Sequence, residues 1–431
     1  MKPSRLLTMM FETERWQDLL DTATEKEISL KVIEELCYPN ERKKLYTIIV
    51  NDEYNIFPPH IQRIPKDKPG EFREVYINEA RDRIVLSLIN DCLSELFGDM
   101  IHSQCRSYQK GTGTQMVVKE ISHKICEINP RTDCIGVKAD YSKYFDNVKI
   151  EVIDSIFDEW ERRLGFDKNT EPVINMLRRY YHQDLYFDVD GSLKRRYQGL
   201  KQGCAVASIL ANVCLYKVDE YMSNKYKVYY RYSDDSVIID EDTGNVVSEM
   251  NELIEPYGIS LNPKKVEKLY KNKWFKFLGF NIKGSQITLS SSRVKKFQKE
   301  IEKRSIDKKK KNKKFTGRQA KRNIIKFLYE GKYNWASSCL GTINVEPDVQ
   351  ELNKFIMDCI RACDTGKLKI GGLGSVNNLP DRTILRGKGR NVKANRDKTG
   401  HIENYLSMEC LQNGLKICKP VFETQVRNIK G

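Results

Sequence analysis

Tyr229-Tyr230-Arg231-Tyr232-Ser233-Asp234-Asp235-Ser236-Val237-Ile238-Ile239-Asp240 is the stretch on which the reading of this chain turns. Val228 to Tyr232 is one β-rich run and Ser236 to Ile239 is another. The pattern predicts a hairpin with Asp234 and Asp235 at its turn. Two adjacent acids between apolar strands repel each other and need a neutralising partner. A divalent metal is the usual one where phosphate chemistry is done. Asp is also an ordinary turn residue, so the pair decides nothing until its neighbours are read.

Just upstream, Gln198-Gly199-Leu200-Lys201-Gln202-Gly203 forms a glycine loop that feeds a long helix of small and apolar residues through Leu215. Small side chains there let a backbone approach a bound partner such as a base pair. Further back, Ile135 to Val137 reads as a buried strand with Asp140 at its end, followed by Tyr141, Ser142, Lys143, Tyr144 and Phe145. Helices are expected from about 149 to 164 and from 171 to 181, with a hairpin around Asp190-Gly191. Nearer the start, Pro65 to Ile77 is a Lys/Pro/Gly turn opening into an alternating strand. Lys66, Lys68 and Arg73 would either face a polyphosphate or protect an exposed edge. Residues 78 to 97 follow as an amphipathic helix. Arg106 to Thr114, with Lys110, is a basic Gly/Thr loop whose amides could approach a phosphate backbone.

Downstream, Leu261 to Val266 is a turn presenting Lys264 and Lys265. Lys273 to Ile282 is a strand pair with an aromatic turn at Phe277-Leu278-Gly279-Phe280. A basic block then begins as an amphipathic helix at Arg293, becomes a lysine-rich loop near 308–314, and resumes as helix. It carries 17 Lys/Arg against 4 Asp/Glu between Arg293 and Lys332. Residues 365–431 add 13 against 5, while the whole chain is +15, so the remainder is slightly acidic. Two basic blocks on an acidic chain point to a polyanionic partner, and nucleic acid is the leading one.

The 431 residues predict two to four packed units, and 40% hydrophobic with 31% charged residues is a globular balance. No run approaches the roughly 20 apolar residues of a membrane span. Early charges leave no secretory h-region. A cytoplasmic protein without membrane contact is therefore expected. The 12 cysteines show no CxxC pairing, and Cys359 and Cys363 read as packing on a helix. The 5 histidines form no cluster, so a zinc nuclease domain is not supported.

The order of these parts is specific: an acid at a strand end, a Gln-Gly loop and helix, a Tyr-x-Asp-Asp hairpin, a lysine turn, and a Phe-Leu-Gly turn. It resembles the fingers and palm of reverse transcriptases, especially bacterial ones related to group II intron and retron enzymes, from about Lys66 to Ile282. The resemblance implies an α+β right-hand fold, with an antiparallel palm sheet and a helical thumb. The expected division is an N-terminal helical extension (1–60), fingers (61–134), palm (135–290), basic thumb (291–364) and a small RNA-binding appendage (365–431).

Carried over residue by residue, the resemblance makes Asp140 and Asp234 metal ligands, Asp235 the third acid, and Tyr141 a ligand through its backbone carbonyl. Phe145 matches the steric gate that excludes a ribose 2′-OH. Gln202 and Gly203 match the loop at the incoming nucleotide and template. Lys66, Lys68 and Arg73 match the triphosphate clamp, and Lys265 a lysine assisting the leaving pyrophosphate. Phe277, Leu278 and Gly279 match the primer grip. Arg106, Lys110, Lys295, Lys296, Lys299, Lys310 and Lys314 are then nucleic-acid contacts. Two Mg²⁺ ions (Mn²⁺ being an alternative), dNTPs, a structured non-coding RNA template and a cDNA product are implied.

Ser233 departs from the Ala of the bacterial box, and Lys201 stands where many relatives have Pro. The retron signatures Asn-Ala-x-x-His and Val-Thr-Gly are missing, as is a Cys/His-rich endonuclease segment. What remains resembles the defence-associated "unknown group" enzymes, nearest to the type 2 layout in which one polypeptide copies a companion RNA. Two other readings stay open. One is a protein-primed or template-independent DNA polymerase of the abortive-infection kind, for which 22 tyrosines offer primers. The other is a catalytically idle RNA-binding module, which the three retained acids disfavour.

Overall fold

The computed structural model of the protein describes residues 4–22, 29–66, 70–109, 111–129, 133–195, 199–331 and 334–368. The expectations for Lys68, Lys110, Gln198 and most of the appendage lie outside the described residues. The chain divides into two compact units, residues 1–112 with 136–268, and residues 113–135 with 269–431. Among the described residues, no helix is long and apolar enough to cross a membrane.

The first unit opens with four helices, α1 (Arg5–Met10), α2 (Thr13–Thr22), α3 (Leu30–Cys37) and α4 (Pro39–Val50). Strands β1 (His60–Pro65) and β2 (Phe72–Ile77) form an antiparallel hairpin, and α5 (Ala80–Leu96) buries Ile84, Leu88, Ile89 and Leu93 in the core. Helix α6 (Thr114–Glu127) belongs to the second unit. Strand β3 (Cys134–Asp140) leads back into the first, followed by α7 (Tyr144–Asn147), α8 (Ile150–Leu164) and α9 (Pro172–Gln183). Helix α9 starts by rule: Pro172 occupies the first turn, and the Glu171 carboxylate accepts the Ile174 amide at 2.7 Å. Short strands β4 (Leu185–Phe187) and β5 (Leu193–Arg195) complete a sheet of order β2-β1-β4-β5.

Helices α10 (Ala207–Val213) and α11 (Tyr216–Lys225) precede the hairpin β6 (Val228–Tyr232) and β7 (Asp235–Ile239), then α12 (Val246–Ile254) and β8 (Glu267–Tyr270). The central sheet has the order β6-β7-β3-β8, with β3–β7 and β6–β7 antiparallel. Val237, Ile238 and Ile239 are fully buried, as a strand covered on both faces requires. Gly136 lets β3 lie this close to β7, because a Cβ there would meet the Ile238 carbonyl at 2.3 Å.

The helix expected through Leu215 is shorter, α10 alone, ending at Val213 before a turn at Cys214 and Leu215 that leads into α11. The reason is tertiary. The Arg231 guanidinium donates to the carbonyls of Ala211 (3.2 Å) and Asn212 (3.0 Å), and the Tyr144 hydroxyl donates to Ala211 (2.5 Å). The carbonyls left open at a helix end are thus satisfied from outside, and α10 stops.

The second unit holds α6, the sheet β9 (Phe275–Phe277), β10 (Phe280–Lys283) and β11 (Gln286–Leu289) in the order β11-β10-β9, and helices α13 (Ser291–Arg304), α14 (Ile306–Lys311), α15 (Gly317–Tyr329) and α16 (Glu346–Thr365). Ser290 caps α13, and Thr316 with Gln319 forms a reciprocal capping box on α15. Helix α13 is amphipathic as expected. Val294, Phe297 and Ile301 are buried, and Lys295, Lys296 and Lys299 are exposed. The expected lysine loop at 308–314 is corrected in part: Lys308 to Lys311 are helical in α14. Lysine is a good helix former when its charge is solvated, and Asp307 in the first turn meets Lys310 at 3.2 Å.

Candidate active site

The Tyr-x-Asp-Asp hairpin is tighter than the sequence suggests. Tyr232 pairs with Asp235, so the turn is Ser233-Asp234 alone and Asp235 is the first residue of β7. Asp235 also pairs with Asp140 across β3. The strand registers therefore bring Asp140, Asp234 and Asp235 to one end of the sheet. Ser233 has φ +59°, a left-handed conformation at the first turn position. The Ser233 hydroxyl lies 3.4 Å from that of Tyr108, a side-chain contact that an alanine lacks. The Tyr141 amide donates to the Asp234 carbonyl at 2.9 Å and the Asn262 amide to the Asp140 carbonyl at 2.8 Å. The Tyr141 ring is buried, so its backbone is the part near the acids.

The electrostatics follow from crowding. Burial, then the neighbouring Asp140, raises the Asp234 carboxyl above its usual range. Burial, then Asp234 and Asp140, lifts Asp235 to about 6. Lys265 reaches in from solvent and donates to the Asp140 carboxylate at 2.7 Å. Partial burial works against that ammonium, but the bond and attraction to Asp140, with the attraction of Asp234 and Asp235, together outweigh it and its pKa is raised. Arg73 on β2 also stabilises the charged form of Asp234. Lys66 is exposed at the end of the same hairpin, its amide bonded to the Glu71 carbonyl at 2.9 Å.

Phe145, Gln202 and Gly203 line one cavity of about 380 Å³, together with Asn78, Arg83, Asn90 and Tyr108. Phe145 sits on α7, with its ring edge-on to Tyr144. The Gln202 carbonyl accepts the Tyr76 amide at 2.7 Å, which ties the glycine loop to β2. Gly203 has φ +108°, and a Cβ there would come within 2.4 Å of the Val75 side chain. No larger residue fits that approach.

Two anchors of this site escaped the sequence reading. Arg231, in the middle of β6, is fully buried and donates to both oxygens of Asp219 on α11, at 2.7 and 2.6 Å. It also reaches the Ser233 carbonyl at 3.4 Å, so the pair braces the acidic turn from beneath. A charged residue inside an otherwise apolar strand was the available signal. Tyr108 is the other anchor, and nothing in its loop sequence marks it.

The remaining candidates fall elsewhere. The Arg106 amide pairs with the Arg231 carbonyl at 2.8 Å, and its guanidinium lies 5.7 Å from the Tyr230 ring centre. In the second unit, Phe277 and Phe280 pair around a two-residue turn of Leu278 (φ +48°) and Gly279 (φ +80°). The Phe277 ring is buried, and Leu278 and Gly279 at the turn are half-buried. Lys310 and Lys314 are exposed.

Asp140, Asp234, Asp235 and the Tyr141 carbonyl are all hard oxygen donors, the chemistry that suits Mg²⁺ or Mn²⁺. Among the described residues, no three His, Cys, Asp or Glu side chains are already gathered as a metal cage. Lys265 meanwhile supplies positive charge to Asp140. The donor set fits a divalent cation, and the mutual repulsion of the acids is what that cation would relieve.

Three carboxylates at one end of a sheet, in the same unit as a cavity of about 380 Å³ lined by Phe145, Gln202 and Gly203, are the parts a nucleotidyltransferase needs. Residues 64–282, half of the chain, match the family described as reverse transcriptase (RNA-dependent DNA polymerase). The chain belongs to that family, and its fold is the family's α+β palm with attached helices. The family normally works with divalent metal ions. Among curated proteins, the chain is similar to two from Saccharomyces cerevisiae. The putative COX1/OXI3 intron 1 protein is 23% identical over 43% of this chain and 21% of its own length. The putative COX1/OXI3 intron 2 protein is 22% identical over 43% and 20%. The chain thus spans about a fifth of the length of these relatives. Among solved structures, telomerase from Candida albicans with a fragment of telomeric RNA matches at TM-score 0.45 and 11% identity, over 76% of this chain and 59% of that one. Apo telomerase from Candida tropicalis matches at 0.42 and 14%, over 73% and 59%. Likeness of that degree carries no weight for function.

Proposed function

We propose that the protein is an RNA-directed DNA polymerase that copies a companion structured non-coding RNA into cDNA, in the cytoplasm, as part of bacterial antiphage defence. The observation that carries the polymerase reading is the convergence of Asp140, Asp234 and Asp235 at one sheet end, with Arg73 coupled to Asp234. In this reading Asp140, Asp234 and the Tyr141 carbonyl hold two Mg²⁺ ions, and Asp235 supports them. The ions supply activation of the primer 3′-OH and stabilisation of the leaving pyrophosphate.

The chain's own residues do the positioning. Arg73 with Lys66 and Lys68 binds the triphosphate of the dNTP. Phe145 excludes a ribose 2′-OH, and Gln202 and Gly203 set the incoming base pair. Lys265, which holds the Asp140 carboxylate here, would face the departing pyrophosphate once Asp140 served as a metal ligand. The exposed Lys295, Lys296, Lys299, Lys310 and Lys314 hold the nucleic-acid backbone as a basic thumb, which makes affinity salt-dependent. The defence role and the dedicated RNA rest on the resemblance to single-polypeptide defence enzymes and on the basic segment at 365–431.

The test is to sequence the nucleic acid that co-purifies with the protein from its native locus, beside an Asp234→Ala/Asp235→Ala variant. One abundant small RNA in both, with complementary DNA in the wild type alone, is the expected result. Homopolymeric DNA, or DNA freed from the phenol interface by protease, points to tyrosine priming. Identical contents in both samples overturn the polymerase reading in favour of an RNA-binding module.

A further inference from the structure

Lys201 stands in the glycine loop, and its surroundings are unusual for a lysine. Its side chain is 2% exposed. The ammonium donates to the Tyr180 carbonyl at 3.0 Å, sits 3.3 Å from the Asp184 carboxylate, and lies 4.0 Å from the centre of the Tyr180 ring. Its backbone has φ +55°. Proline, whose ring fixes φ near about −65°, cannot adopt that conformation. The backbone of this loop is therefore one that the proline implied by the resemblance could not take, and the lysine side chain holds it.

What the device holds is legible from the hydrogen bonds on either side. The Leu200 amide donates to the Phe145 carbonyl at 2.6 Å, and the Tyr181 hydroxyl donates to the Leu200 carbonyl at 3.2 Å. The next residue, Gln202, accepts the Tyr76 amide at 2.7 Å. Asp184 is itself left-handed at φ +41°, closing the end of α9. Burying an ammonium costs several kcal/mol before its partners repay it, and an apolar side chain of similar volume is often at least as stable. Stability alone is a poor reason to find a lysine there.

We propose that Lys201 is a positioning residue for nucleotide selection. Its ammonium, held by Asp184 and the Tyr180 carbonyl, fixes the Gln202-Gly203 loop and, through Leu200, the backbone of Phe145. One residue thereby sets both the base-pair contact and the sugar gate. The proposal rests on the reading of Phe145 and Gln202 as nucleotide contacts.

Single-nucleotide incorporation by the full chain, on a primed RNA template with dNTPs and with rNTPs, tests it. Lys201→Met keeps the buried stem and removes the charge. The expected result is a KM for dNTP roughly 10–100-fold higher, a smaller preference for dNTP over rNTP, and kcat and template affinity within a few-fold of wild type. Asp184→Asn moves the same quantities in the same direction by less. A lower melting temperature with KM and sugar preference unchanged, or a loss confined to kcat, overturns the proposal. Should Lys201→Met fail to fold, Asp184→Asn with unchanged KM and preference overturns it equally. Gln202→Ala and Phe145→Ala report on the premise. If neither alters selection, the nucleotide reading falls and the proposal with it. If both do and Lys201→Met does not, the proposal alone falls.

Discussion

Two hairpin turns in this protein share a frame and differ in everything placed on it. Tyr232-Ser233-Asp234-Asp235 and Phe277-Leu278-Gly279-Phe280 each join antiparallel strands through two residues, and each begins with a non-glycine residue at positive φ, Ser233 at +59° and Leu278 at +48°. The first turn presents acids that repel one another and are braced from below by the buried Arg231–Asp219 pair. The second is flanked by buried Phe277 and Phe280, with the Arg293 guanidinium 4.2 Å from the Phe280 ring centre. A tight turn fixes where its two residues stand. The chemistry comes from what is left uncompensated there, and only the first turn leaves anything uncompensated.

The largest expected effect breaks that asymmetry. Asp234→Asn should lower kcat for nucleotide incorporation by at least about 10³-fold, because charge at the metal is worth several kcal/mol in the transition state. The same variant should melt no lower than wild type in EDTA, since it removes a buried, repelled charge. Rapid-quench incorporation and a thermal melt check the two halves.

Next in size is the brace. Arg231→Met leaves Asp219 buried without its cation and should cost about 3–5 kcal/mol of unfolding free energy. Urea unfolding measures it. A loss within about 1 kcal/mol would mean the hairpin does not depend on that pair.

A pH series sharpens the electrostatic half. Asp235 titrates at about 6 in the fold instead of its usual 3.8, so the folded state holds the proton more tightly than the unfolded chain does. Its contribution to stability is present below about pH 4 and is lost as pH rises through about 6. The metal-free protein should lose on the order of 3 kcal/mol across that window. Asp235→Asn should make that slope shallower, leaving the part due to Asp234, which burial and Asp140 also raise, and a flat profile in the wild type would contradict the crowding argument.

The smallest effect belongs to the apolar turn. Leu278→Asn puts a residue that tolerates the left-handed region where a leucine is strained. It should raise stability by about 0.5–1 kcal/mol, visible as a small upward shift in the urea midpoint.

Much of this was legible in the sequence because the signals are local. A turn with acids between apolar runs, an acid closing a buried strand, and the amphipathic spacing of Val294, Phe297 and Ile301 each declare themselves within a few residues. What escaped was set by distant partners. The helix after the glycine loop breaks because Arg231, some way down the chain, takes the carbonyls of Ala211 and Asn212. Tyr108 meets Ser233 across 125 residues of sequence. That the Phe277 ring is buried follows from the alternation of β9, which the turn motif alone does not reveal. The lysines at 308–311 looked like a loop because they are charged, and charge does not oppose a solvated helix.

The most direct test of the central claim is extension of a DNA primer annealed to a defined RNA template, with dNTPs and Mg²⁺, by the wild-type protein and by Asp234→Asn/Asp235→Asn. The account predicts template-length DNA from the wild type, dependent on template and metal, and none from the variant. Equal products from both proteins, or wild-type product that ignores the template, would contradict it.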